Sequence, residues 1–255
     1  MSHKQFDKFL NNNRRNKEKN EPYTHLRIGD PKFNVMGGSY NISTEENLHE
    51  FYKLYNNKVF NKKQNEYIAE KQDKENGGPI LIDLDFRYSI KKVGRQHGKN
   101  FIKNLLKIYL KTLKSIFNFK TDESFKINTM VFERDDIYKD EEKKVIKDGI
   151  HIVIGIHCDH TVQTMLRSKV MKNAREVIAT LPLTNDIEDV FDAGISKGVT
   201  PWQLYGSIKP GRKPYKLKYI YVFEINQNNK IIIIKKNDSD VKKKALWILY
   251  WKVQH

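Results

Sequence analysis

The stretch from residue 77 to residue 88 opens on an apolar run and alternates apolar and polar positions from Ile82 to Tyr88, and two of its polar positions are aspartates. Successive side chains along a strand point to opposite faces, so residues two apart share a face. Ile82, Leu84 and Phe86 therefore face one way, and Asp83 and Asp85 the other. Helical spacing takes over in two later stretches. Phe101, Leu105, Ile108, Leu110, Leu113, Ile116 and Phe117 mark one amphipathic helix, with Lys103, Lys107, Lys111 and Lys114 on its remaining surface. Val162, Met165, Leu166, Val170, Ala174, Val177 and Ile178 mark a second, ended by Leu181-Pro182 because proline cannot continue a helix.

Shorter patterns fill the gaps. Gly37-Gly38 reads as a turn before a brief strand, Ser39-Tyr40-Asn41-Ile42. Ser43 to Glu46 has capping-box spacing ahead of a helix carrying Leu48, Phe51, Tyr52, Leu54 and Tyr55. Strands are expected at 127–133, 149–156, 203–205, 217–225 and 231–234, with the turn Asn226-Gln227-Asn228-Asn229 joining the last two, and a short helix near 187–194. Strands and helices mix without regular alternation, which predicts an α+β fold rather than a doubly wound sheet. Residues 1–21, rich in Lys, Asn and Arg, are expected to form a flexible basic tail, although Phe6, Phe9 and Leu10 allow a short helix. The catalytic domain is expected over 22–235. Residues 236–255 read as a tail that docks, or as the start of a further module.

Composition narrows the function. Apolar residues make up 38% of the 255 positions and aromatics 11%, enough for a core. The 47 basic against 31 acidic residues give a net charge of +16, which favours a polyanionic partner whose phosphates Lys and Arg neutralise. Runs such as Asn11-Asn12-Asn13 indicate that a general Lys and Asn bias contributes to that charge. No apolar run reaches the length of about 18 residues needed to cross a bilayer, and the polar N-terminus lacks a signal-peptide core. Cys158, the one cysteine, excludes an internal disulfide and a cysteine-based zinc site within the chain. An intracellular protein without a membrane partner is the expectation.

Several constellations could carry chemistry. Two like charges side by side repel unless a cation lies between them, and hard divalent ions take carboxylate oxygens. A solvent-facing edge strand with two surface acids is the plain alternative for Asp83 and Asp85, although strands disfavour Asp. His151 follows Gly149 at the start of an apolar strand, as a structural imidazole or as one that holds a phosphate or moves a proton. His157-Cys158-Asp159-His160 contains metal-ligand types whose side chains diverge, and reads as a loop. Asp192 sits in Phe191-Asp192-Ala193-Gly194, beside Asp186, Glu188 and Asp189, acids that suit a helix start. From Trp202 to Lys213 a strand runs into a basic loop bounded by Gly and Pro. Its hydroxyl and cations suit a triphosphate, and equally an ordinary hairpin.

In this order the segments resemble the archaeo-eukaryotic primase superfamily, and within it the amino-terminal primase domains of primase–helicases from nucleocytoplasmic large DNA viruses. Ile82-Asp83-Leu84-Asp85 matches the first motif, Gly149-Ile150-His151 the second and Phe191-Asp192 the third. The lead Gly78-Pro79-Ile80 and the segment Trp202-Gln203-Leu204-Tyr205-Gly206-Ser207-Ile208-Lys209-Pro210 match the viral branch, as do Thr24-His25-Leu26-Arg27 and Gly37-Gly38-Ser39-Tyr40. The likeness spans residues 22 to 225.

The resemblance implies two α+β units around a catalytic cleft, one of them with an RRM-like sheet. It implies Asp83, Asp85 and Asp192 as catalytic ligands of two Mg²⁺ or Mn²⁺ ions, with His151 at the incoming nucleotide's phosphates. Lys209, Arg87, Ser207 and Arg212 would add charge and donors there. Primer synthesis on single-stranded DNA from NTPs or dNTPs follows, with a helicase module or other replication proteins as partners, in a host cytoplasm or viral factory. The lysine-rich helix and the basic tail would hold the template backbone. The glycine-rich context of Asp192 leaves Asp189 as a rival third ligand. No zinc-binding module is visible, and no helicase portion lies within these residues, so a fragment, a split gene or a free-standing primase is expected. A metal-dependent nuclease and a catalytically silent single-strand binder are the alternative functions.

Overall fold

A computed structural model describes residues 2–119, 125–225 and 231–236. The expected turn at 226–229 and the tail from residue 237 onward lie outside the described residues. The chain divides into two units: residues up to Gln72 with Thr200–Lys216, and Asp73–Val199 with the strands from Leu217 onward.

The first unit opens with α1 (Ser2–Asn12), β1 (His25–Arg27), β2 (Gly38–Tyr40), α2 (Glu45–Asn56) with a π-helical turn at Asn57–Asn61, and β3 (Ile68–Glu70). The second unit begins with β4 (Gly78–Ser89), α3 (Lys99–Ile116), β5 (Phe125–Arg134), β6 (Tyr138–Asp140) and β7 (Val145–Cys158). Helices α4 (His160–Asn173), α5 (Arg175–Ile178), α6 (Ile187–Val190) and α7 (Ala193–Ser196) follow. The chain then contributes β8 (Trp202–Gln203) to the first sheet, and β9 (Tyr215–Ile225) and β10 (Ile231–Lys235) to the second. The two antiparallel sheets are ordered β2-β1-β3-β8 and β10-β9-β5-β7-β4, with β6 also on β7. The fold is therefore α+β.

In the first unit, Ser2–Asn12 form the short helix that Phe6, Phe9 and Leu10 allow within the basic N-terminal stretch. Phe6 and Leu10 lie one helical turn apart and are both fully buried. The Phe6 ring packs 5.8 Å from Phe51 and 6.1 Å from Tyr55 of α2. Asp7, on the same helix, meets Arg27 at 2.7 Å, and Arg27 also meets buried Glu66 at 2.7 Å. Burial alone would lower the Arg27 pKa, yet the charges and hydrogen bonds of Glu66 and Asp7 raise it overall. An apolar pair this sparse holds a helix because an aromatic face receives it. The α2 cap also falls one residue later than the capping box predicts: the Thr44 hydroxyl accepts the Asn47 N–H at 3.2 Å.

In the second unit, α3 and α4 cover one face of the large sheet. Ile82, Leu84 and Phe86 share a core with Leu105, Leu106, Leu166 and Val170. Burying each such side chain contributes roughly 1.5–3 kcal/mol. The helix expected over 162–178 is broken at Ala174, and the one expected near 187–194 splits at Phe191-Asp192. The His157-Cys158-Asp159-His160 segment does structural work. Cys158 ends β7, the Asp159 carboxylate caps α4 by accepting the Val162 N–H at 2.8 Å, and the His160 ring lies 2.9 Å from the Asp73 carbonyl. Among the described residues, no helix is long and apolar enough to cross a membrane.

Candidate active site

Strand β4 brings its alternation directly to the site. Ile82, Leu84, Phe86 and Tyr88 are buried, while Asp83 is half-buried and Asp85 and Arg87 are exposed on the opposite face. Residues directly opposite in an antiparallel ladder share a face. The register pairs Asp83 with His151 and Asp85 with Gly149. The His151 Nε2 stands 3.4 Å from the Asp83 Oδ1, with the imidazole buried.

The third acid arrives through the backbone. Strand β4 lies at the end of the sheet order, and the segment 183–192 lines that edge. Thr184 donates its N–H to the Arg87 carbonyl at 2.8 Å, and Asp192 donates its N–H to the Asp83 carbonyl at 3.1 Å. Between them the Asn185 side chain mimics a strand. Its Oδ1 accepts the Arg87 N–H and its Nδ2 donates to the Asp85 carbonyl, both at 3.0 Å. The Asp192 carboxylate caps α7, with Oδ1 accepting the Gly194 N–H at 2.6 Å and the Ile195 N–H at 3.3 Å.

Arg167 of α4 holds this segment in place. Its guanidinium donates to the Phe191 carbonyl at 2.7 and 2.9 Å and to the Glu188 carbonyl at 3.0 Å, and it meets the Glu188 carboxylate at 2.9 Å. Carbonyls fixed by a charged, forked donor have little freedom to turn. A small pocket beside Asp83 is lined by Leu81, Tyr109, Gln163, Arg167, Phe191 and Asp192, among others. Neither Arg167 nor Asn185 was singled out from sequence. An arginine on the polar side of an amphipathic helix and an asparagine after a proline turn look ordinary until the chain folds.

The remaining expected residues fall in different places. Asp189, the rival third ligand, meets Arg87 at 3.4 Å in an exposed pair of the kind worth about 0–1 kcal/mol. Ser207, in the first unit, is buried. Its Oγ lies 2.8 Å from the Tyr55 hydroxyl and accepts the Ile68 N–H at 2.9 Å. Lys209 is exposed in a turn closed by the Arg212 N–H on the Lys209 carbonyl at 2.9 Å. On α3, Lys103, Lys107 and Lys111 are exposed, on the far side of a helix whose apolar face covers the sheet. That stripe thus lies behind the sheet, away from the face of Asp83 and Asp85. Among the described residues, no group of three or more His, Cys, Asp and Glu side chains gathers closely enough to hold a metal ion.

Comparison with known proteins gives two findings. The family described as the C962R protein N-terminal AEP domain, where AEP denotes archaeo-eukaryotic primase, matches residues 31–221. A relative named "Putative helicase L207/L206" from Acanthamoeba polyphaga mimivirus is 30% identical over 231 residues, covering 85% of this chain. The chain spans 22% of that relative's length. The match over 31–221 takes in the Asp-x-Asp strand, His151, the Asp192 segment and the basic loop at 209–213. The chain belongs to the archaeo-eukaryotic primase family.

Proposed function

We propose that the chain is a primase or primase–polymerase domain that joins NTPs or dNTPs into primers on a single-stranded DNA template. One observation carries this reading. Asp83 faces His151 across the β4–β7 ladder, Asp85 follows on the same face, and Asp192 is hydrogen-bonded to the Asp83 carbonyl. Asp83 and Asp85 are hard oxygen donors, a set that suits Mg²⁺ or Mn²⁺. Asp192 makes both cap bonds through Oδ1, so Oδ2 is the oxygen that would join them. A bound pair of ions supplies the charge that favours attack by a primer 3′-hydroxyl and departure of pyrophosphate.

The chain's own groups orient the reactants. His151 would meet the incoming nucleotide's phosphates, and Arg87 adds a guanidinium on the same strand face as the acids. Ser207 contributes least, because Tyr55 and Ile68 engage its hydroxyl. The viral relative's name supports a helicase module as partner in copying a viral genome.

A second reading, a catalytically silent binder of single strands, is favoured by the Asp192 carboxylate capping a helix and by the lack of a three-ligand group among the described residues.

Incorporation of labelled NTPs and dNTPs on a single-stranded template, with Mg²⁺ or Mn²⁺ and with or without a primer, separates the two. The parent protein should make product, and Asp83→Asn should lose it by about 10³-fold or more while still binding DNA. Equal activity of variant and parent would sink the assignment of the acids. Tight binding without product from the parent would establish the silent binder.

A further inference from the structure

The β1–β2 hairpin of the first unit ends in a rigid tip with apolar side chains in solvent. Asp30 and Val35 exchange both backbone hydrogen bonds, at 2.9 and 3.0 Å. Between them Pro31–Phe33 forms a 3₁₀ turn, closed by Asn34 in the left-handed region with φ of 52°. The Asp30 carboxylate accepts the Lys32 N–H at 2.9 Å, so its charge serves the turn. On this tip Phe33 is 48% exposed and Met36 75% exposed. The Phe33 ring rests on the basic loop 209–213 of the same unit. It lies over Gly211, where any added Cβ would collide with the ring, and Gly211 has a φ of +72° that glycine favours.

Two preorganised turns thus meet at one aromatic ring. Together they carry Lys32, Lys209, Arg212 and Lys213 against Asp30 alone. A single exposed apolar residue on a protein surface needs no explanation. A half-exposed ring on a proline-stiffened turn, with Lys32 next to it in sequence and the basic 209–213 loop beneath it, has the composition of a stacking platform, where a base meets the ring and phosphates meet the cations. The chain's net charge of +16 favours the same class of ligand.

We propose that Phe33, with Lys32 beside it and the 209–213 loop beneath it, is a stacking site for single-stranded nucleic acid. The site deepens the primase reading, because it names how a strand is held. Its test uses neither metal nor nucleotide, so it can fail while the catalytic assignment stands.

Binding of a labelled oligothymidine to the full chain, followed by fluorescence anisotropy across a salt series, decides it. Phe33→Ala should weaken binding by about 5- to 150-fold, the scale of one lost base–aromatic stack. Phe33→Tyr, which keeps a ring, should bind like the parent. Lys32→Ala should lower the salt slope by roughly one unit, whereas Phe33→Ala should leave it unchanged. Unchanged affinity in Phe33→Ala, or a parent that does not bind single strands, would overturn the proposal. So would a loss that travels with a reduced salt slope, since the ring would then only be propping the basic loop.

Discussion

On the helix-covered face of the large sheet, Asp148 and Glu133 are buried and enclosed by cationic or polar partners. Arg95 meets Asp148 at 2.9 and 3.0 Å and donates to the Arg134 carbonyl at 2.7 Å. The His97 ring lies 2.6 Å from Glu133 and 3.5 Å from Asp148. Burial would lower the Arg95 pKa, but the hydrogen bonds and charge of Asp148 and the charge of Glu133 raise it. The opposite face of the same strands carries Asp83 and Asp85, one half-buried 3.4 Å from His151 and the other exposed. Side-chain alternation produces both faces from the same two strands, since Phe86 pairs with Asp148 while Asp83 pairs with His151. Carboxylates closed in by a guanidinium hold the fold together. The adjacent carboxylates Asp83 and Asp85 lie on the opposite side of the strand, outside that core.

This difference predicts a clean exchange of phenotypes. Asp83→Asn should cost about 10³-fold or more in primer synthesis and leave thermal stability nearly untouched, because it also relieves repulsion with Asp85. A large fall in melting temperature for that variant would break the comparison. Arg95→Ala should do the reverse by stranding Asp148 in the core. Removing one member of a buried pair costs about 3–5 kcal/mol, a shift of roughly 6–20 °C in a domain of this size. Thermal denaturation of the two variants side by side reads both outcomes.

Arg167 sharpens the boundary between the two roles. From α4 it fixes the carbonyl before Asp192. Arg167→Ala should lower activity by about 10- to 100-fold through misplacement of Asp192, with a stability loss of about 1–3 kcal/mol. Added guanidinium should restore part of the activity. Failure of that rescue, with activity falling only in step with the folded fraction, would make Arg167 purely structural.

The smallest effect concerns Cys158, in the covered core. Burial, helped by the Asp159 charge, raises its thiol from 9.0 to about 11. A folded pKa above the unfolded one contributes stability that is present below pH 9 and is lost as pH rises through 11. Native protein should therefore alkylate slowly at pH 8, and Cys158→Ala should flatten stability between pH 9 and 11. Rapid labelling of native Cys158 would contradict a dry core at the end of β7.

Much of this was legible in the chain. The Asp83–Asp85 strand and the cores of α3 and α4 follow from local periodicity, and alternation alone set the acids opposite Ile82, Leu84 and Phe86. Other features were hidden. In α1, Phe6 and Leu10 are diluted by Lys and Asn, and only the aromatic face of α2 makes them a core. Ser43 and Thr44 are both good cap residues, and the choice between them depends on where α2 can begin. Ser207 reads as a phosphate donor, yet the fold turns its hydroxyl onto Tyr55. The lysines of α3 read as a template-holding surface, yet they project behind the sheet.

Sequence by itself determined which residues alternate, which faces are apolar and which acids share a strand, because those relations arise between neighbours a few residues apart. Only the tertiary structure decided what meets those faces. Asp192 reaches Asp83 through a backbone hydrogen bond to a strand edge, held by Arg167 and Asn185 from other segments. Phe33 finds Gly211 from the far end of the first unit's chain. Such contacts depend on packing between distant segments, where shape and burial select partners that no local pattern encodes.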